Sequence, residues 1–358
     1  MKLINTYIFK KYFSSFLLTL MLMIFICVIF DFSEKIDDFV DSNATTKDIL
    51  FKYYLNFIPY LANLFSPLFA FISTIYFTSK MTYNNEFVGI LNSGYSYKKI
   101  LLNYFICSFI IFTCNCYLSN FIIPNASKKR ISFEKEHFKK KKIKFAKHKH
   151  IKIDSENYVY VSMFDANKQK GFNFTLEQIK DNIMYYKIEC LQAKWLNEEK
   201  KWQLINCNER YFYSENEKIS KINKKDTTIN LKPDDLKIKT NDFEMMDYYE
   251  LNNFISKESE KGSDKLDYFY LEKHKRISFP FSIIILSMLA SIIGTKKIKG
   301  GTGLHLGIGI VSCFAYILFM QFSTSFVINS NLNPLLGVWL PNIIFTFFVI
   351  YLTRFTTK

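Results

Sequence analysis

Six long apolar runs constrain this chain of 358 residues more than any other feature. Three of them precede a polar, charged middle and three follow it. Each is close to the ~20 helical residues that cross a bilayer. The runs cover about 12–30, 53–78, 101–123, 277–294, 304–328 and 335–352. The sequence therefore predicts six membrane spans, three plus three, with Pro124 closing the third.

The composition agrees with such a mixture. Hydrophobic residues make up 49% of the chain, too many for an ordinary soluble protein, whereas a mean hydropathy of +0.02 is too low for a pure membrane bundle. We expect three domains: spans 1–3 in 1–124, one soluble domain in 125–275 and spans 4–6 in 276–358. The formal charge of +15 follows no nucleic-acid motif. It favours anionic lipid or an anionic ligand as partner, and no nucleic acid.

A short polar segment, residues 80–100, separates the second and third runs. Its apolar residues recur at i, i+3 and i+4, at Phe87, Ile90 and Leu91. This spacing predicts a short helix over about 82–94, with Glu86 near its start and Gly94 as its stop. A helix in this place is either a passive elbow or a docking element for a cytoplasmic partner.

Basic residues near the ends of spans predict the orientation, because they are retained on the cytoplasmic side. They lie at both termini, in the elbow and after the fourth run: Lys2, Lys10, Lys11, Lys80, Lys98, Lys99, Lys296, Lys297, Lys299, Arg354 and Lys358. Of the loops on the opposite side, 31–48 is acidic and 329–334 is uncharged. Both termini are therefore expected in the cytoplasm and the middle domain outside. The first run has no signal-peptide cleavage site, which favours a retained span.

One basic segment, residues 127–149, argues against this orientation, although charges on long translocated domains have little weight. It has two interpretations. It is either a solvated helix that extends the third span or a surface on which an anionic ligand binds.

The sequence of the middle domain predicts an antiparallel β-sheet. We therefore expect the fold class to be an α+β membrane protein. Short alternating segments rich in Tyr, Phe, Ile, Val and Thr begin near residue 151. The predicted strands are 157–164, 171–179, 184–195, 202–213 and 226–233. A polar helix to about 261, a break at Gly262 and a second helix entering the fourth span should follow.

Two cysteines lie in this sheet, and the other five lie in apolar runs. If Trp195 faces Trp202 across the turn at 197–200, Cys190 lies opposite Cys207. In an oxidising compartment this pair could form a cross-strand disulfide, whereas a one-residue slip would separate the two thiols.

Signatures of catalysis are missing from the sequence. It has no GxxxxGK[ST] phosphate loop, no HExxH, no GxSxG and no metal-spaced His/Cys cluster. We therefore expect no cofactor, no metal and no enzymatic activity. The glycines of 294–309 indicate close helix packing, and His305 is expected to be structural.

Five segments resemble the LptF/LptG permease family, which extracts lipopolysaccharide from the inner membrane of Gram-negative bacteria. They are YIFKKYFSSFLLTL (7–20), NNEFVGILNSGYS (84–96), NFIIPNASKKR (120–130), LKPDDL (231–236) and VWLPNIIF (338–345). The resemblance covers essentially the whole chain and leans towards LptG.

This resemblance implies a transmembrane subunit of an ABC transporter. Its partners would be a cytoplasmic LptB-like ATPase dimer, a second, LptF-like permease, LptC-like and LptA-like periplasmic bridge proteins, and lipopolysaccharide. The elbow would be the coupling helix, in which Glu86 and Gly94 match the family. The middle domain would be a periplasmic β-jellyroll. Basic residues near the outer surface would meet the lipid phosphates: Lys35, Lys128, Lys129, Arg130 and Arg276.

The chain departs from the family pattern at two positions. Asp31 stands where relatives can carry a lysine, with Lys35 one turn on, and Asn84 stands where a basic residue often precedes Glu86. Two alternatives to a permease stay open. One is a membrane-anchored sensor or structural protein with an external ligand-binding domain, and the other is a membrane enzyme that acts on lipid.

Overall fold

The computed structural model describes residues 2–42, 44–138, 146–154, 156–166, 168–180, 183–197, 199–213, 216–236, 242–260, 266–296, 301–329 and 332–356. The helices are α1 (Lys2–Asp41), α2 (Thr46–Asp48), α3 (Leu55–Tyr83), α4 (Glu86–Asn92), α5 (Tyr97–Tyr117), α6 (Ile123–His137), α7 (Pro233–Leu236), α8 (Tyr248–Glu260), α9 (Leu266–Thr295), α10 (Gly301–Asn329) and α11 (Pro334–Thr356). The strands are β1 (Ala146–Lys152), β2 (Asn157–Asp165), β3 (Lys170–Lys180), β4 (Ile183–Leu196), β5 (Lys201–Phe212) and β6 (Glu217–Thr227).

The chain divides into two compact units. The helical unit comprises Met1–Lys139, Glu244–Leu251 and Asp267–Lys358, and the sheet unit comprises Lys140–Phe243 and Asn252–Leu266. The six-span prediction and the α+β class are confirmed, because six helical stretches of the described chain are long and apolar enough to cross a membrane. These are Leu3–Asp41, Thr46–Tyr83, Tyr97–His137, Leu266–Thr295, Gly303–Asn329 and Pro334–Arg354.

Two helix ends differ from the prediction. The segment 31–48, expected as a loop, is helical as far as Asp41, where Asp31 and Lys35 form an i,i+4 ion pair. Pro124 does not close the third span. A π-helical stretch, Leu118–Ile122, precedes it, and its wider turn accommodates a residue that lacks an N–H. The interpretation of 127–149 as a helical extension is correct up to His137, whereas 146–152 forms β1.

Two glycines of the segment 294–309 pack helices closely, as predicted, whereas Gly303 and Gly307 have open space around them. A Cβ built on Gly294 would lie 2.9 Å from Cβ of Thr78 on α3, and one on Gly309 would overlap Cδ1 of Ile75. His305 is buried and its Nε2 lies 2.5 Å from the carbonyl oxygen of Lys296. Gly262, the predicted break between α8 and α9, lies outside the described residues.

The sheet is an antiparallel meander in the order β1-β2-β3-β4-β5-β6. Four predicted strands are confirmed as β2 to β5. The edge strands β1 and β6 were not predicted, because their lysine-rich sequences lack the alternating apolar residues of a half-buried strand. Such charge is typical of edges, where it discourages pairing with other chains. The predicted strand 226–233 is wrong beyond Thr227: Leu231 is buried there, its carbonyl accepts a hydrogen bond from Nε1 of Trp202, and α7 follows.

A row of neighbouring residues with irregular backbone crosses the sheet. The alternation of buried and exposed side chains changes phase at this row. Asn173 and Asn206 have φ of +48° and +53°, a left-handed conformation that asparagine tolerates better than most residues. By register, both lie beside Leu191 of β4. In β5 the buried positions are Trp202 and Leu204 before this row, and Cys207 and Glu209 after it.

The pairing of β4 with β5 is preserved across this change of phase. Each strand has one additional residue between successive buried positions, and these additional residues lie opposite each other. Trp195 pairs with Trp202 and Cys190 with Cys207, which is the register that the hairpin symmetry predicted. The structure joins the two cysteines in a disulfide, with their Cα atoms 4.1 Å apart.

A buried carboxylate, Glu209, anchors a polar cluster in the sheet unit. It accepts hydrogen bonds from the Tyr186 hydroxyl at 2.7 Å and from Nζ of Lys225 at 2.5 Å. Burial alone would raise the pKa of Glu209, but the bonds from Lys225 and Tyr186 outweigh it and lower this pKa. Burial and the same carboxylate raise the pKa of Tyr186.

Candidate functional site

The elbow between the second and third spans contains the short helix α4. Helix α3 continues to Tyr83, so the helix predicted over 82–94 is reduced to Glu86–Asn92. Asn85 adopts a left-handed φ of +57° before it, and Gly94 has a φ of +83° after it. Glycine takes that conformation without steric cost, which explains its place at the end of the helix.

The apolar stripe of α4 faces the chain itself. Phe87 is buried, and its ring lies edge-on to Tyr97 at 6.1 Å. Ile90 and Leu91 pack partly buried against the same core cluster, which also contains Ile8 of α1. These three predicted coupling residues therefore hold α4 on the span helices.

The outward face of α4 is formed by other residues. Glu86, Gly89 and Asn92 are exposed, and Val88 is 44% exposed. The carboxylate of Glu86 accepts hydrogen bonds from the Tyr7 hydroxyl at 2.8 Å and from Nδ2 of Asn84 at 3.3 Å. In the described part of the chain it forms no ion pair, so its negative charge is available to a partner.

Sequence reasoning missed the contacts that the start of α1 makes with the elbow. Besides the bond from Tyr7, Oδ1 of Asn5 accepts hydrogen bonds from Tyr95 and, at 3.1 Å, from Nδ2 of Asn103. Tyr7 and Glu86 are 79 residues apart, and no spacing rule connects positions so distant.

Lys35 and Arg130, two of the predicted phosphate-binding residues, lie together around one carboxylate. Nζ of Lys35 lies 3.0 Å from Asp31, donates to the Tyr53 hydroxyl and lies 3.9 Å from Oε1 of Glu134. Nε of Arg130 lies 3.7 Å from the same Glu134 oxygen. Both cations are therefore balanced within the chain. Together they join α1 and α6 to a second π-helical stretch, Ile49–Tyr54, which precedes α3.

The other predicted phosphate-binding residues lie elsewhere. Lys128 pairs with Glu250 at 2.7 Å. Arg276 is buried, donates to the carbonyl oxygen of Met246 at 2.7 Å and lies 3.6 Å from Glu272. Lys129 is exposed and has no ion pair in the described residues.

The carboxyl of Glu244, whose side chain is exposed, interacts electrostatically with both arginines. Partial desolvation of this carboxyl and the nearby charge of Glu272 raise its pKa, while Arg130, Lys275 and Arg276 oppose that rise. The basic side chains at the ends of these helices thus lie beside carboxylates and do not form one positively charged patch. Among the described residues, no group of three or more His, Cys, Asp or Glu could hold a metal ion.

Comparison with known proteins agrees with this architecture. The family described as "Lipopolysaccharide export system permease LptF/LptG" matches residues 6–354, nearly the whole chain. No curated protein matches the chain in sequence. With six helices suited to span a membrane and an inserted β-sheet, this is a multi-pass membrane permease. The chain belongs to the LptF/LptG family of lipopolysaccharide export permeases.

Proposed function

We propose that this protein is the transmembrane subunit of an ABC transporter that extracts lipopolysaccharide from the inner membrane and passes it to a periplasmic bridge. The family match over residues 6–354 carries this proposal. The sequence contains no phosphate loop, so a partner ATPase must supply the energy. The carboxylate of Glu86 on α4 is exposed and forms no ion pair with the described residues, so it is a suitable contact for that partner.

The proposed orientation places both termini and α4 in the cytoplasm and the sheet unit in the periplasm. It rests on the basic residues that flank the spans, Lys10, Lys11, Lys80 and Arg354 among them. A disulfide between cysteines of the sheet suits the oxidising periplasm.

The remaining partners are a second, LptF-like permease and the LptC-like and LptA-like bridge proteins. The exposed apolar face of α1 supports a second permease, or lipid, against this helix. Its side chains include Leu18, Met21, Phe25 and Phe30, exposed by 65%, 68%, 67% and 71%. In a cavity between two permeases, such a face would pack against acyl chains. Closure of the ATPase dimer would move α4, narrow the cavity and expel the lipid.

Basic residues near the outer ends of the spans would meet the lipid phosphates. Lys35, Lys128, Arg130 and Arg276 are each paired with a carboxylate, so a phosphate would exchange with that carboxylate. Lys129 is the candidate that is exposed and forms no ion pair in the part of the chain described.

Co-purification in mild detergent tests the proposal. The full chain should be isolated with an ATPase and a second six-span protein, and the complex should release lipopolysaccharide from liposomes when ATP is added. Isolation as a lone monomer would instead support the sensor or structural alternative.

The coupling role of α4 is tested separately with Glu86→Ala and Glu86→Lys. The charge reversal should weaken ATPase binding or lipid release more than the alanine variant does, whereas Glu260→Lys, at the exposed end of α8, serves as a matched control. If both Glu86 variants kept the ATPase and the transport rate, Glu86 would have no coupling role.

A further inference from the structure

We propose that Tyr7 is a positioning residue for Glu86 and that Tyr7 and Asn5 couple the elbow directly to the first span. This inference rests on the proposed function, because it requires a partner that acts on α4. It assigns a role to two α1 side chains that the sequence did not single out.

The contact at the start of α4 fixes the Glu86 carboxylate. Tyr7 donates to one oxygen at 2.8 Å and Asn84 donates to the other at 3.3 Å. With a donor on each oxygen, rotation of the carboxylate is restricted. A hydrogen bond to an ionised acceptor is stronger than a neutral one. Nζ of Lys11 lies 5.7 Å from the Tyr7 ring centroid, a cation–π distance that helps to hold the ring.

A second contact lies just beyond the other end of α4. Tyr95 follows Gly94, and its hydroxyl donates to Oδ1 of Asn5. Asn103 on α5 donates to both groups, at 3.1 Å to Asn5 and 3.0 Å to Tyr95. The first turns of α1 therefore hold the elbow at both of its ends.

Apolar packing joins these two polar contacts. Phe87 and Tyr95 belong to one buried cluster with Ile8 and Tyr12 of α1. Close-packed side chains resist compression, so a displacement of α4 is transmitted to α1 through this cluster.

Chain connectivity explains why side chains are needed here. The elbow is covalently continuous with α3 and α5, so movement of α4 carries those two spans. The first span is linked to the elbow covalently only through the opposite end of α3, so at this end it follows α4 through side-chain contacts such as that of Tyr7 with Glu86. Apolar packing alone permits sliding, whereas hydrogen bonds at both ends oppose it.

The test compares Tyr7→Phe with Tyr117→Phe in the full complex in liposomes. Tyr117 lies on α5 outside the elbow, is 59% exposed, and its hydroxyl has no hydrogen-bond partner in the described residues, so it is a matched control. Two quantities are measured: the ATPase that co-purifies, and the lipopolysaccharide released per ATP hydrolysed. Tyr7→Phe should keep the ATPase but lower release per ATP by about threefold to tenfold, the range expected for one hydrogen bond in an exposed position, where solvent reduces the gain from the charged acceptor. Tyr95→Phe should act in the same direction, and elution from size exclusion verifies that each variant is folded.

Combination with Glu86→Gln separates the possible results. If Tyr7 acts through Glu86, the double variant Tyr7→Phe/Glu86→Gln should be no worse than Glu86→Gln alone. Wild-type coupling in Tyr7→Phe beside a defective Glu86→Gln would overturn this inference and leave the role of α4 intact. Loss of the ATPase from the Tyr7→Phe complex would place Tyr7 in docking and also overturn it. Wild-type behaviour of both single variants would reject the coupling role of Glu86 as well.

Discussion

The cross-strand disulfide between Cys190 and Cys207 gives the most quantitative prediction. The bond joins residues 17 positions apart. In the chain-entropy treatment, a loop of that length stabilises the folded state by about 3 kcal/mol, through restriction of the unfolded chain. Both side chains are almost fully buried, so alanine is a better replacement than serine, which would place a hydroxyl in the core. The double variant Cys190→Ala/Cys207→Ala should therefore lower the urea midpoint of the sheet by about 1 to 3 M.

Tryptophan fluorescence of the full chain measures this midpoint, because Trp195 and Trp202 both lie in the sheet and Trp202 is completely buried. A Trp339→Phe background removes the signal of α11. Cys114→Ala, at an exposed free cysteine of α5, is the control and should leave the midpoint unchanged.

Peptide mapping of the mature protein, with and without reductant, tests the bond itself. Two free thiols in the non-reduced protein would refute the disulfide, and they would also contradict the proposed placement of the sheet in an oxidising compartment. An oxidised bond with an unchanged midpoint in the double variant would instead refute the entropic magnitude.

Three further predictions concern packing, pH and backbone conformation. Gly294→Val should destabilise the detergent-solubilised chain by about 1 to 3 kcal/mol in thermal-shift assays, because even a Cβ there meets Thr78, whereas Gly307→Val, with open space around it, should be neutral. Tyr186→Phe should cost about 1.5 kcal/mol at pH 7 by urea titration. The pKa of Glu209 is lowered on folding, so its stabilisation is present above the unfolded-state pKa and is lost as pH falls through the folded-state value. The cost of Tyr186→Phe should shrink in that window. Asn206→Val should cost about 1 to 2 kcal/mol, because a β-branched residue resists the left-handed conformation, and Asn206→Gly should keep the wild-type midpoint.

Local pattern predicted the parts of the fold that depend on local physics. Bilayer thickness sets the length of an apolar run, so the six spans were evident from the lengths of the apolar runs. Side-chain alternation predicted the central strands β2 to β5, and the symmetry of Trp195 and Trp202 about a short turn predicted the register of their hairpin.

The misses occur where tertiary contacts override local signals. The edge strands β1 and β6 each pair with one neighbouring strand, and they need few apolar residues. Their sequences therefore resemble those of polar loops. Pro124 was predicted to end the third span, because proline interrupts the hydrogen bonds of a helix. The π-helical stretch before it allows the helix to continue. The alternation of buried and exposed side chains changes phase at Asn206, and a strict period of two residues does not predict this change. The neighbouring strands change phase at the same row, so the strand pairing is kept.

The elbow shows the same division between local and tertiary information. Its helix, the position of Glu86 and the stop at Gly94 were predicted from spacing and glycine chemistry. The direction of its apolar stripe was not, because periodicity identifies a stripe without identifying what covers it. Phe87 packs on the chain's own core, which leaves Glu86 and Val88 on the exposed face.

Pairing of the basic residues has a consequence for transport. A phosphate that displaced Glu134 from Arg130, or Asp31 from Lys35, would exchange one anion for another at each cation. The net gain in free energy is then smaller than for an unpaired cation, because the broken ion pair offsets part of the new one. When the lipid leaves, the carboxylate would return, so neither Arg130 nor Lys35 would remain uncompensated. A permease must release what it binds, and sites of moderate affinity favour passage over retention. For such a permease, carboxylates beside the residues proposed to bind phosphate are therefore compatible with function, and a row of free cations would oppose release.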